Sequence, residues 1–186
     1  MTKQALLEEL KGRLLSDKTL PFKKSNLVFG EGSVRAQIFF IGEAPGLKED
    51  QEERPFVGRS GQLLTKNLLE IGIKREDVYI SNIVKKRPPQ NRDPDPIEIK
   101  KFEGYLKEQI EIIDPKIIVT LGRFAMNFFL PEAKISLSQG KVFKVNNRLI
   151  FPMFHPAAAM RSAKTMAEFK KSFKKLSILL RKQPLI

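Results

Sequence analysis

The chain predicts an α/β fold, a three-layer α/β/α sandwich around a mainly parallel central sheet, built as a single domain from residues 1–186. Three observations predict it. Short apolar runs alternate with helix-period segments, the order in which parallel strands and their crossover helices are laid down. The run Ile38-Phe39-Phe40-Ile41 is apolar at every position, as in a strand covered on both faces. No repeat or low-complexity linker divides the 186 residues, a length that suits one domain with a substantial core.

In chain order, residues 3–16 read as an amphipathic helix, and residues 17–35, with Pro21, Gly30 and Gly32, as irregular. Ala36–Ile41 is the first strand, and residues 42–59 form a long polar loop. Ser60–Ile71 is a helix closed by Gly72, a good C-terminal stop. Asp77–Val84 is the second strand and 85–95 a Pro-rich basic loop. Asp95-Pro96-Ile97-Glu98 opens a helix to about Asp114, with Asp as cap, Pro in the first turn and Glu three residues on. Ile117–Leu121 is the third strand, followed by a short helix Arg123–Phe129 stopped by Pro131. Lys141–Val145 and Arg148–Phe154 read as a hairpin around Asn146-Asn147. Thr165-Met166-Ala167-Glu168 reads as a capping box opening a last helix to about Leu180.

Composition bounds the function. The formal net charge of +13 attracts polyanions, nucleic acid first and an acidic membrane surface second. No apolar run approaches the roughly 20 residues of a membrane helix. The N-terminus, MTKQALLEELKGRLL, lacks a signal-peptide core, so a cytoplasmic, nucleoid-associated protein is expected. With no cysteine and one histidine, the chain offers no disulfide, no thiolate-held zinc or iron–sulfur cluster and no His-rich metal site, and no EF-hand spacing occurs.

In an open α/β sheet, ligands bind beyond the carboxyl ends of the strands. Two unusual loops fall there: Gly42-Glu43-Ala44-Pro45-Gly46 after Ile41, and His155-Pro156-Ala157-Ala158-Ala159 after Phe154. Asn82 lies at the same edge. Taken singly, each feature has a plain structural reading: a tight loop, a core anchor at Pro55-Phe56-Val57-Gly58, an asparagine satisfying backbone groups, a solvated run Lys85-Lys86-Arg87. Together, in this order in one short chain, they point to a shared cleft.

That joint pattern resembles the uracil-DNA glycosylase superfamily, and its family 4 most of all. The resemblance runs from Val28-Phe29-Gly30-Glu31-Gly32 to the last helix. It is densest in the first loop, in Arg54-Pro55-Phe56-Val57-Gly58-Arg59-Ser60-Gly61-Gln62-Leu63-Leu64, in Ser81-Asn82-Ile83-Val84-Lys85, in Arg87-Pro88-Pro89 and Asn91-Arg92-Asp93-Pro94, and in the His155 loop. It implies removal of uracil from DNA by cleavage of the N-glycosidic bond, on single- or double-stranded substrate. A monomer with no obligate protein partner is expected, since a base-flipping enzyme needs only one site.

The residue types suit that chemistry. A base inside a duplex must be flipped out to be reached. Phe56 offers a π-face for the flipped pyrimidine, and Gly42 is a further substrate-binding candidate. The Asn82 amide complements the N3–H donor and O4 acceptor of uracil and mismatches cytosine. Negative charge builds on uracil O2 as the bond breaks, and His155 is the donor aimed there, with backbone N–H groups of the 42–46 loop. Some relatives carry an Asp inside the first motif where this chain has Ala44, so Glu43 is the nearest carboxylate to orient water or substrate. Glu49 stands where family 4 has an acidic residue that excludes the methyl group of thymine, a task that relatives with a tyrosine at the position of Gly46 perform otherwise. Lys85, Arg87, Arg92, Arg161 and Lys164 are phosphate-binding candidates at the pocket mouth. Met160 is the candidate apolar wedge into the base stack.

Family 4 members usually hold an iron–sulfur cluster on cysteines. Leu15, Lys18, Lys86 and Phe102 stand at those positions, so no cluster and no cofactor are expected. Leu15 and Phe102 are expected to form an apolar plug in its place, with the two lysines turned outward or paired with acids. Rival readings are a binding-only relative, a uracil-trapping relative whose inserted basic loop carries a histidine, a basic RNA-binding scaffold, and a glycosylase for hypoxanthine or xanthine. The short 85–95 loop has no histidine, which disfavours the trapping relative.

Overall fold

In the computed structural model, which describes residues 1–182, the N-terminal segment forms helix α1 (Lys3–Ser16), with the Thr2 hydroxyl accepting from the amide of Ala5. The following stretch contains a two-residue strand, β1 (Glu31–Gly32), where the sequence reads as irregular. Gly32 has a positive φ of 125°, and a Cβ there would lie 1.9 Å from the carbonyl oxygen of Val78, so the strand can dock only with glycine at this position. Strand β2 (Ile38–Gly42) is buried throughout. Helix α2 (Leu47–Glu52) interrupts what reads as one long loop; it buries no residue, so it leaves no apolar periodicity to read.

Helix α3 (Arg59–Glu70) stops at Gly72, whose φ is 79°. Strand β3 (Tyr79–Asn82) is shorter than expected because Arg75–Asp77 form a 3₁₀ turn ahead of it. Helix α4 (Pro96–Ile113) opens on the expected capping box, with Asp95 and Glu98 exchanging two 2.8 Å bonds. Strand β4 (Ile117–Leu121) and helix α5 (Arg123–Phe129) fall where the sequence places them. A short α6 (Ile135–Ser138) precedes the hairpin of β5 (Phe143–Val145) and β6 (Arg148–Met153). Helix α7 (Pro156–Ala159) leads to α8 (Ala163–Lys182). The last helix begins ahead of the expected box: the Ser162 hydroxyl accepts from the amide of Thr165 at 3.3 Å, and Thr165–Glu168 lie inside the helix.

The sheet order is β1-β3-β2-β4-β6-β5. The inner strands β3, β2, β4 and β6 are parallel, and the short edge strands are antiparallel. Side chains of β2 alternate between two cores: Phe39 and Ile41 join Leu10, Leu14, Phe102 and Leu106 from α1 and α4, while Ile38 and Phe40 join Leu64, Phe169 and Phe173 from α3 and α8. This is the three-layer sandwich. From β2 the chain moves outward to β3 on one side, then crosses back past β2 to β4 and on to β6 on the other, so the crevice at the carboxyl ends of β2 and β4 is the topological switch point. No helix among the described residues is long and apolar enough to cross a membrane.

The expected plug of Leu15 and Phe102 is corrected at one residue. Phe102 is fully buried, but Leu15 is 64% exposed. Neighbours on a helix point about 100° apart, and α1 turns Leu14, not Leu15, into the core. The plug is therefore Phe102 with Leu14 and Leu20. Lys18 is exposed and Lys86 half-buried. Around the plug, the Tyr105 hydroxyl donates to Asp17 at 2.7 Å and Arg13 pairs with Glu108. With no cysteine in the chain, these residues do not fit an iron–sulfur cluster. Truncation of Phe102 to alanine is expected to destabilise the fold by about 3–5 kcal/mol, the range for buried aromatic deletions, measured by denaturant unfolding. A cost near zero would remove Phe102 from the plug.

Candidate active site

The cavity at the switch point measures about 880 Å³ and draws its walls from the loops after β2, β3, β4 and β6. Its floor depends on a missing side chain. Gly42 ends β2 opposite Asn82, and a Cβ there would lie 2.5 Å from Asn82 Oδ1 and 2.5 Å from Phe56 Cζ. Phe56 and Asn82 thus converge over a bare backbone.

Phe56 sits at a φ of 51°, an uncommon conformation for an aromatic residue, and several contacts hold it there. Glu49 Oε1 accepts from the amides of Val57 and Gly58 at 3.0 and 2.8 Å. Arg75 donates to the carbonyl of Pro55 at 2.5 Å and is itself fixed by Glu31, which also pairs with Arg54. Gly61 on α3 lets the helix approach: its Cβ would lie 1.7 Å from the Phe56 carbonyl oxygen. The Phe56 and His155 ring centroids are 5.8 Å apart at 34°. Phe56 also borders a second cavity of about 800 Å³, whose arginines, Arg54 and Arg75, are both tied to Glu31.

Asn82 is almost fully buried, yet its side-chain amide bonds to no described residue; it borders the cavity. His155 caps α7, with Nδ1 accepting from the amide of Ala157 at 3.1 Å. A nitrogen that accepts carries no proton, so the neutral ring keeps its hydrogen on Nε2. Burial, reinforced by Arg161 and opposed by Glu49, pushes the His155 pKa down to about 4. The group is a neutral donor near pH 7. Glu43, half-buried in the cavity wall, is pushed up to about 7 by burial and by Asp93, against the pull of Arg123. Ala44 lines the cavity beside it without adding a polar group.

The candidates of the first loop and of the His155 loop are brought together with Phe56, Asn82 and Glu49. A side chain at Gly46 would meet Glu49, since a Cβ there lies 2.9 Å from Oε2. The basic candidates divide. Arg161 is exposed and lines the cavity. Lys164 is exposed on the first turn of α8, and Met160 is 38% exposed at the end of α7. Arg92 lines the cavity but is held by two bonds to Glu98 and stacks on Phe22 at 5.6 Å. Half-buried Arg87 donates to Asn91 at 2.6 Å. Lys85 is a correction: it is fully buried, with Nζ bonded to Ser81 and Gln109, and cannot meet a phosphate at the pocket mouth.

Sequence reasoning misses Gly122 and the Asp93–Arg123 pair. Gly122, at a φ of 92°, follows β4 beside His155: a Cβ there would lie 3.1 Å from the His155 Cβ. Asp93, in the loop after β3, and Arg123, at the start of α5, join at 2.8 Å. The one available signal was position: residues 122–123 follow the apolar run Ile117–Leu121 and so belong to the binding edge.

Residues 29–177 match the family model of the Uracil DNA glycosylase superfamily. The chain is 45% identical over 171 residues to the Type-4 uracil-DNA glycosylase of Archaeoglobus fulgidus, covering 87% of this chain and 86% of that one. It is 42% identical to the protein of the same description from Sulfurisphaera tokodaii, covering 91% and 83%. Its identity to that of Thermotoga maritima is 42%, covering 87% and 86%.

Proposed function

The chain belongs to the uracil-DNA glycosylase superfamily, and on that premise we propose that this cavity receives a uracil flipped out of DNA and that its lining hydrolyses the N-glycosidic bond, leaving an abasic site for base excision repair. The observation that carries the site assignment is the convergence of the Asn82 amide and the Phe56 ring over the bare backbone of Gly42, with the His155 ring 5.8 Å from that of Phe56.

In this reading Phe56 stacks on the base, Asn82 Oδ1 accepts from N3–H, and Asn82 Nδ2 donates to O4. Cytosine presents the opposite pattern and is refused. As the bond to C1′ lengthens, charge collects on O2 and His155 Nε2–H meets it. A donor without charge can do this because its hydrogen bond strengthens as the oxygen becomes an anion. Glu43 orients the water that attacks the oxocarbenium-like sugar; the neighbouring Ala44 offers no carboxylate for the task. Glu49 holds the Phe56 loop and crowds the space where a thymine methyl would lie. Arg161, Lys164, Arg87 and Arg92 grip phosphates, and Met160 enters the vacated base stack. The reaction needs no resident metal or cofactor, and the protein acts in the cytoplasm as a monomeric single domain of residues 1–186. Among the described residues no cluster of three or more metal-ligating side chains occurs.

A pH dependence follows. Glu43 must be ionised to orient water, and its pKa is raised to about 7. The rate kcat/KM is expected to rise with pH through about 7 and then level, while His155 stays neutral over that window. Glu43→Gln is expected to flatten the rise and lower the plateau; an unchanged profile would assign the water to another group.

The founding test is cleavage of single- and double-stranded oligonucleotides carrying uracil by metal-free protein. Alkali-labile product on uracil supports the reading. Product only on hypoxanthine or xanthine would move the substrate within the superfamily, and binding without product on any of them would leave a DNA-binding relative.

A further inference from the structure

The Lys85 side chain lies wholly inside the protein, a place that a lysine seldom occupies without a specific reason. Its Nζ donates to Ser81 Oγ at 2.5 Å and to Gln109 Oε1 at 2.6 Å. The Ser81 hydroxyl donates to the carbonyl of Phe29 at 2.7 Å, and Gln109 Nε2 donates to the same carbonyl at 3.1 Å and to the Tyr79 hydroxyl at 3.2 Å. Two acceptors suit the two N–H groups of an uncharged amine, while an ammonium would need a third. Burial drives the group in the same direction, holding its pKa well below the ordinary lysine value.

This network stands directly behind the reaction site. Ser81 and Asn82 are neighbours on β3 and point to opposite faces of the sheet, Ser81 into the network and Asn82 towards the cavity. Beyond β3 the chain stays zipped to the first loop: the amide of Ile83 donates to the Gly42 carbonyl at 2.9 Å, and that of Val84 to the Glu43 carbonyl at 3.0 Å. The carbonyl of Lys85 accepts from the amide of Val28 at 2.8 Å. After Lys85 the chain enters the basic loop.

We propose that Lys85 is a positioning residue of the glycosylase site: its buried amine, holding Ser81 and Gln109 together, fixes the end of β3 that carries Asn82 and, through residues 83–84, the backbone of Gly42 and Glu43. The inference rests on the glycosylase reading above. Lys85 touches neither base nor phosphate, so its loss should spoil alignment more than affinity. A slightly misplaced group at a reaction centre costs rate out of proportion to the displacement.

Lys85→Met keeps the length of the side chain and removes the amine, and Ser81→Ala removes one of its acceptors with little change of volume. Both are compared with the wild type in cleavage of a uracil-containing oligonucleotide, at a temperature where melting curves show each variant folded. The expected result is a kcat lower on the order of tenfold to a hundredfold, KM little changed, and weaker preference for uracil over cytosine. If Lys85→Met does not fold, Ser81→Ala decides alone. Folded variants with wild-type kcat and selectivity, or a loss confined to melting temperature, would overturn the proposal while leaving the glycosylase reading intact. A wild type that cleaves no uracil would bring down both.

Discussion

Replacing His155 with alanine is expected to slow uracil release by about 10²–10³-fold, the usual cost of one donor aimed at a developing oxyanion. The expectation has a specific shape. Because His155 is neutral, its bond to the ground-state carbonyl is weak and strengthens only as charge moves onto the base. The loss should therefore fall on kcat, with KM nearly untouched. The same substitution removes the Nδ1 cap of α7, which by itself costs about 1 kcal/mol of stability. Melting curves separate the two effects. A variant that is less stable but turns over at the wild-type rate would leave the histidine a cap and nothing more.

Gly42→Ala is the second large effect, and its cost in stability, about 1–3 kcal/mol, comes from the side chains crowded over it. The backbone of Gly42 lies in an ordinary strand conformation, so alanine meets no strain in β2 itself. Its methyl group would instead land 2.5 Å from Asn82 Oδ1 and 2.5 and 2.7 Å from Phe56 Cζ and Cε2. Both must move, and the stacking partner and the edge reader are displaced together. A shift of about 1 Å at a reaction centre can cost a hundredfold, and at least that loss is expected in single-turnover cleavage at a temperature where melting curves show the variant folded. Wild-type cleavage by a folded Gly42→Ala protein would show that the base does not lie over β2.

How far the sequence carries the fold depends on length and period. The strand Ile117–Leu121 and the helix beginning at Pro96 are legible because an apolar run and a capping box state their bounds. Helices α2 and α7 are too short to show a period, and the two-residue β1 exists only because a glycine lets it dock on β3. The site is legible where its residues sit in dense motifs, as Phe56, Asn82 and His155 do. Asp93 lies in the loop after β3 and the adjacent Gly122 and Arg123 at the start of α5, so only tertiary packing unites them. Two expectations failed for one reason. Lys85 in a basic run reads as surface and Leu15 in an apolar pair reads as core, but which side of an element faces inward is set by the register of the whole fold.

The hydrocarbon corner of Phe102, Leu14 and Leu20 has a consequence of its own. Thiolate-held iron makes a joint that oxygen, chelators and changes of potential can undo. Packed aliphatic and aromatic groups have no redox state, so oxidants and chelators have no joint to attack here. The exchange also alters the response to temperature, since contacts of this kind weaken on cooling. A loop hinged at such a corner would loosen first in the cold, not under oxidative stress.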